Sequence, residues 1–218
     1  MMDDRQHAPA TLRNRQPILE VLQEVLPPTG SVLEISSGTG EHAIFLAPRL
    51  RPRQWIASDV SPEARASIDA WRRECPSENL WGAIALDTRD PVWPVERSEF
   101  AAQIPELDLR QYPIRAIVNI NMIHIAPWDA ALGLFAGAGR ILPEGGILFL
   151  YGPFKRAGRH TAPSNEAFDQ SLRSQDPAWG VRNLEDVIEA AQERGLFWMK
   201  TVEMPANNLS VVFRRRSQ

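Results

Sequence analysis

One junction constrains this chain more than any other stretch: Val32-Leu33-Glu34-Ile35-Ser36-Ser37-Gly38-Thr39-Gly40-Glu41-His42. A short apolar run carrying an acid passes into a glycine turn, and the turn passes into a helix start. Glycine lacks the Cβ that would keep backbone N–H groups away from a ligand, so such a turn permits close approach. The carboxylate of Glu34 disfavours a pyrophosphate beside it and favours a cation. The ammonium and sulfonium of S-adenosylmethionine (SAM) are such cations. The dinucleotide pattern G-x-G-x-x-G is incomplete, because Ala43 stands where its last glycine would be. The junction therefore points to a SAM site before a dinucleotide site.

Strand and helix signals alternate around it. Ile18, Leu19, Leu22, Val25 and Leu26 recur at helical spacing over about 16–26, with Pro17 in the first turn and Pro27-Pro28 as the stop. Residues 31–35, 54–59, 80–86, 115–120 and 147–151 read as strands, and 197–203 and 209–213 as two more. Helices are expected at 41–49, 61–75, 128–142 and 184–194. The pattern predicts an α/β fold: a doubly wound, mostly parallel seven-stranded sheet, Rossmann-like, with the last strand antiparallel at or near an edge. Residues 88–112 break the rhythm with Pro91, Pro94 and Pro105, and are expected to form a lid-like surface excursion. The whole 1–218 reads as a single domain, with 1–28 as an N-terminal helical cover.

Composition narrows the partners. A net charge of −3 gives no reason to expect nucleic acid, and no apolar run approaches the length of a membrane span. The polar, acidic start Met1-Met2-Asp3-Asp4-Arg5 is unlike a secretory signal, so a cytoplasmic protein is expected. Cys75 is the single cysteine and reads as a small helix residue, while Arg214 to Arg216 reads as a solvated tail. No metal-ligand spacing, P-loop or G-x-S-x-G elbow is present, so no metal site is expected. Tyr151 and Lys155 match the Y-x-x-x-K pair of short-chain dehydrogenases, but Gly152-Pro153 between them denies the shared helix face.

In doubly wound sheets, ligands bind at the carboxyl ends of the strands. Asp59 ends the second strand, where a carboxylate can accept both hydroxyls of a ribose, and Asp87 ends the third, where it can meet an adenine amino group. With Gly38 and Gly40 these acids outline an adenosine-shaped cleft. His124 follows the fourth strand and has two readings: a proton acceptor for an incoming hydroxyl or amine, or a structural hydrogen bonder beneath the site.

At this point the chain resembles the class I SAM-dependent methyltransferase fold. It is similar, more closely, to the methyltransferase-like family long catalogued as a domain of unknown function, found in bacteria and animals. The resemblance rests on Arg13-Asn14 with Pro17-Ile18-Leu19, Leu33-Glu34-Ile35, Ser37-Gly38-Thr39-Gly40-Glu41-His42 and Ser58-Asp59. It continues through Asn121 to Trp128, Tyr151-Gly152-Pro153-Phe154, Ser164-Asn165 with Phe168-Asp169, Trp179 to Arg182, and Met204 to Asn208. It implies SAM as cofactor, with the glycine turn and Glu34 at the methionine end, Asp59 at the ribose and Asp87 at the adenine side. The cofactor set it implies also contains Arg13, Asn14, Ser36, Thr39, His42 and Asn121. His124 and Tyr151 are the catalytic candidates. Trp128, Phe154, Asn165, Asp169, Trp179, Arg182, Asn207 and Asn208 are the candidates for a small-molecule acceptor pocket. The expected activity is methyl transfer to a small molecule. The alternatives are a non-catalytic SAM- or S-adenosylhomocysteine-binding protein acting through a partner, and an NAD-linked oxidoreductase, which the missing third glycine disfavours.

Overall fold

A computed structural model describes residues 4–216. Met1, Met2 and Asp3 of the acidic start, and Ser217 and Gln218, lie outside the described residues. The chain runs α1 (Pro9–Val25), β1 (Ser31–Ile35), α2 (Glu41–Leu46), β2 (Gln54–Asp59), α3 (Pro62–Glu74), β3 (Leu80–Ala85) and α4 (Phe100–Gln103). It continues through β4 (Ile114–Ile120), α5 (Trp128–Ile141), β5 (Ile147–Gly152), the two-residue strands β6 (Lys155–Arg156) and β7 (Arg159–His160), and α6 (Pro163–Gln175). It closes with α7 (Leu184–Gln192), β8 (Leu196–Met204) and β9 (Asn208–Arg215).

The main sheet has seven strands in the order β3-β2-β1-β4-β5-β9-β8. β1 to β5 pair in parallel, with Leu33 beside both Ile56 and Ile117 and Ile117 beside Leu148. β9 lies antiparallel between β5 and β8, one strand in from the edge. This is the doubly wound, mostly parallel seven-stranded sheet that the sequence pattern predicts.

Alternation along the buried strands divides the core. Leu33, Ile35, Leu148 and Leu150 pack with Phe135 of α5 and Val187 of α7. Val32, Trp55, Ala57 and Phe149 pack on the other face with Ile18 and Leu22 of α1, Leu46 of α2 and Ile68 of α3. The sheet is thus covered on both faces, and the strand ends open along one rim.

Three expectations need correction. α1 begins at Pro9, not near residue 16, so Pro17 lies inside the helix and not in its first turn. The excursion over 88–112 is not all surface: Trp93, Phe100, Ile104 and Leu107 are buried in the core on the α5 face. It is the crossover that parallel β3 and β4 require, built from short turns in place of a full helix. Arg214 and Arg215 belong to β9 and not to a solvated tail. Arg215 Nε donates to Gly139 O at 3.0 Å, near the end of α5, and the Arg216 guanidinium lies over the Phe197 ring.

Candidate functional site

The strand order reverses between β1 and β4, and the residues leaving β1 turn sharply there. Ser36, Gly38 and Gly40 all have positive φ, at 56°, 58° and 90°. Gly40 is required twice over, because a Cβ there would also lie 2.9 Å from Ile68 Cα of α3. Ser58 Oγ donates to Glu34 O at 2.7 Å and Ser37 N donates to Ser58 O at 2.8 Å, which locks the turn to the end of β2.

Asp59 organises this corner. One carboxylate oxygen accepts the Gly38 N–H at 3.0 Å and the other accepts the Ser61 N–H at 2.9 Å. A carboxylate offers roughly four lone-pair positions, so two backbone donors leave capacity for hydroxyl groups of a ligand. Thr39 and Gly40 turn the other way: Thr39 O accepts from Ser67 Oγ of α3 at 2.7 Å, and Gly40 N donates to Ser37 O.

Beside the turn lies a cleft of about 180 Å³, with Ser36, Val60, Asp87 and Met122 along it and Trp179 closing one side. It draws on the ends of β1, β2, β3 and β4, as the switch-point rule requires. Asp87 makes a two-point pair with Arg89, with Oδ2 2.6 Å from Nη2. That guanidinium holds the Asp87 carboxyl below its ordinary value and keeps it charged.

A polar cluster draws on four elements, α1, α2, β5 and β9. The Tyr151 phenol, at the end of β5, has the side chains of Asn14 and Asn208 and the Arg13 charge near enough to favour its ionised form, against the larger opposing effect of burial. Asn14 Oδ1 lies 2.8 Å from His42 Nε2. Burial holds His42 neutral, its pKa lowered to about 4. Tyr151 is itself almost wholly enclosed, and burial raises its pKa. Asn121, left-handed at φ 68°, stands at the end of β4 with its side-chain Oδ1 toward Gly152.

Glu34 does not face open space. It is 1% exposed and its carboxylate accepts the Trp55 indole N–H at 2.9 Å. Burial pushes its pKa up to about 7. The acid that marks the junction in the sequence therefore lies under the turn and is in part protonated at neutral pH.

Several other candidates occupy structural positions. His124 is fully buried; its Nδ1 accepts the Arg182 N–H at 3.2 Å, which places the ring proton on Nε2, a group with no partner among the described residues. Its pKa is lowered to about 3 by burial, so the geometry supports the structural reading and not the base. Phe154, also enclosed, meets the His124 ring edge-on with centroids 4.8 Å apart. Asn165 donates to Asn207 O at 2.9 Å and so ties α6 to the turn before β9. Asp169 accepts from Lys155, Arg173 and the Val181 N–H, and lies 3.3 Å from His160 Nε2. Arg182 bonds the carbonyls of Ile123, Ala126 and Ala178 and lies over the Trp128 ring. Trp179 alone of the acceptor set lines the cleft.

Two parts of the site escape sequence reasoning. Val60 and Met122 supply its apolar walls, and the only signal is that each follows a strand-end residue already singled out. The second is the strap leading into α1: Gln6 N donates to Ser67 Oγ at 2.8 Å and Ala8 N to Glu41 Oε2 at 2.6 Å, with His7 edge-on to Trp71. This strap carries Arg13 and Asn14 to the rim.

Comparison with solved structures places the architecture. An O-methyltransferase family protein from Burkholderia thailandensis superposes with a TM-score of 0.70 at 13% identity, over 93% of this chain and 56% of that one. An O-methyltransferase family 2 protein from Planctomyces limnophilus, in complex with apigenin, gives 0.68 at 16% identity, over 92% and 60%. Human N-acetylserotonin methyltransferase in complex with SAM gives 0.67 at 11% identity, over 93% and 55%. The chain spans little more than half the length of these structures, and at such identities the likeness is one of fold. Residues 5–215 match one family along nearly their whole length, and the chain belongs to it: the family described as "Protein of unknown function (DUF938)".

Proposed function

We propose that the protein is a SAM-dependent methyltransferase acting on a small-molecule acceptor. The observation that carries the reading is the Gly38 N–H···Asp59 carboxylate bond at the switch point, set beside a cleft formed by four strand ends. Asp59 accepts the ribose hydroxyls through its remaining lone pairs. Asp87 accepts from the adenine amino group, between the apolar walls of Val60 and Met122. The turn from Ser36 to Gly40 and the α1 residues Arg13 and Asn14 hold the methionine end. When bound, SAM supplies an electrophilic methyl group on a sulfonium. Asn121, Tyr151 and Asn208 surround the approach to it and orient the acceptor. With His124 enclosed, the protein contributes alignment and exclusion of water, and not a histidine base. The cytoplasm is the compartment proposed for this activity.

The human neighbour's bound SAM supports the cofactor, and the neighbours' O-methyltransferase names support the reaction class. Isothermal titration of SAM, S-adenosylhomocysteine and NAD(H) tests the reading. Micromolar binding of the first two, lost in Asp59→Ala, is expected; binding of NAD(H) alone would refute it.

The enclosure of Tyr151 and His124 favours a second reading, a SAM- or S-adenosylhomocysteine-binding protein that acts through a partner. Methyl consumption by the purified protein across an acceptor panel separates the two.

A further inference from the structure

A second cleft, of about 310 Å³, opens beyond Arg182, between Trp128 and the start of α7. Lys155, Arg173, Arg182, Asn183 and Asp186 supply its polar groups. Lys155 and Arg173 share one carboxylate, that of Asp169, at 3.0 and 3.2 Å. Arg182 has no carboxylate within ion-pair distance among the described residues: Nε and Nη2 donate to backbone carbonyls. Its pKa is lowered by burial and by the neighbouring Arg173 charge, against a smaller opposing effect of Asp169. Asp186 is partly engaged, accepting from Asn183 Nδ2 at 3.2 Å. Three cations and the Asp186 carboxylate line the cleft, with Asp169 paired to Lys155 and Arg173, so the group carries a local excess of positive charge in a chain whose net charge is −3.

We propose that this cleft binds the carboxylate or phosphate group of a small anionic ligand. Nη1 of Arg182, which makes no hydrogen bond among the described residues, supplies two donors. Arg173 keeps both terminal nitrogens available, since only its Nε meets Asp169, and it is half exposed. Arg182 holds its position through the three carbonyls, so its charge is presented without a further loss of side-chain freedom. The indole of Trp128 gives the ligand an apolar wall. The site shares no lining residue with the first cleft, which it adjoins through the Arg182–Ala126 bond, and it does not depend on the methyl-transfer reading.

The test is titration of the full chain with citrate and, separately, pyrophosphate, at ionic strength matched with sodium chloride, read by calorimetry and by the indole resonances in NMR. Saturable binding that moves the Trp128 indole signal is expected from at least one anion, and the pair tells a carboxylate ligand from a phosphate one. Arg173→Gln should weaken it about tenfold, the effect of one charged hydrogen bond. Asp186→Asn should tighten it, and Asp59→Ala should leave it unchanged. Arg182→Gln also removes three loop contacts, so the surface variants carry the decision. Non-saturating shifts, or equal affinities in wild type, Arg173→Gln and Asp186→Asn, would overturn the proposal.

Discussion

The indole of Trp93 and the helix backbone at Gly137 should be energetically inseparable. Trp93 is wholly buried, its N–H donates to Thr88 O at 3.2 Å, and its six-membered ring occupies the space a Cβ on Gly137 would take. Replacing the ring by a methyl group, Trp93→Ala, should cost about 4 kcal/mol. Gly137→Ala forces an overlap at the upper end of the overpacking range, about 3 kcal/mol, and gains about 1 kcal/mol of helix propensity. Alone it should therefore destabilise by about 2 kcal/mol. With the indole gone, the same substitution should stabilise by about 1 kcal/mol, which makes the coupling about 3 kcal/mol. Urea denaturation of the four proteins, followed by far-UV circular dichroism, measures the cycle. Costs that add to within about 0.5 kcal/mol would refute the packing, and with it the anchoring of residues 88–112 in the core through Trp93.

Other consequences follow from the buried titratable groups and the cleft. Asp59→Ala should abolish nucleoside binding while leaving the fold intact by circular dichroism, because only two backbone donors lose a partner. Glu34 has a folded pKa of about 7 against 4.5 unfolded, so the folded state holds the extra proton between those values. Its contribution to stability should fall by about 3 kcal/mol as pH rises across that window, and Glu34→Gln should remove the dependence in urea titrations. His124 has the opposite sign: held neutral down to about 3, it should destabilise the fold as pH drops below 6.5. Nitrogen NMR should show two rings still neutral at pH 5, those of His42 and His124, and a titration of the His124 ring near 6.5 would contradict its enclosure.

Much of the scaffold was legible because strand and helix periods are local. The β1–α2 junction, the acids Asp59 and Asp87 and the antiparallel last strand follow from patterns a few residues long. What escaped depends on distant partners. The start of α1 carries no apolar stripe because it packs polar groups, Thr11 and Asn14, against the rim. Gly137 looks like a weak point in a helix until Trp93 is placed upon it. His124 resembles a base because the N–H that occupies its Nδ1 belongs to residue 182, across the fold. Arg215 reads as tail only while Gly139, the carbonyl it reaches, is out of sight.

The position of β9 bears on how the chain is made. The last strand in sequence lies inside the sheet, with β5 on one side and β8 on the other. During synthesis β5 therefore presents an open hydrogen-bonding edge, and β8 has no strand to join, until residues 208–215 have left the ribosome. An edge rich in Ile147, Leu148, Phe149 and Leu150 is a template for pairing with other chains. The sheet of the nascent protein is thus incomplete until β9 emerges, and the β5 edge stays open to other chains until then.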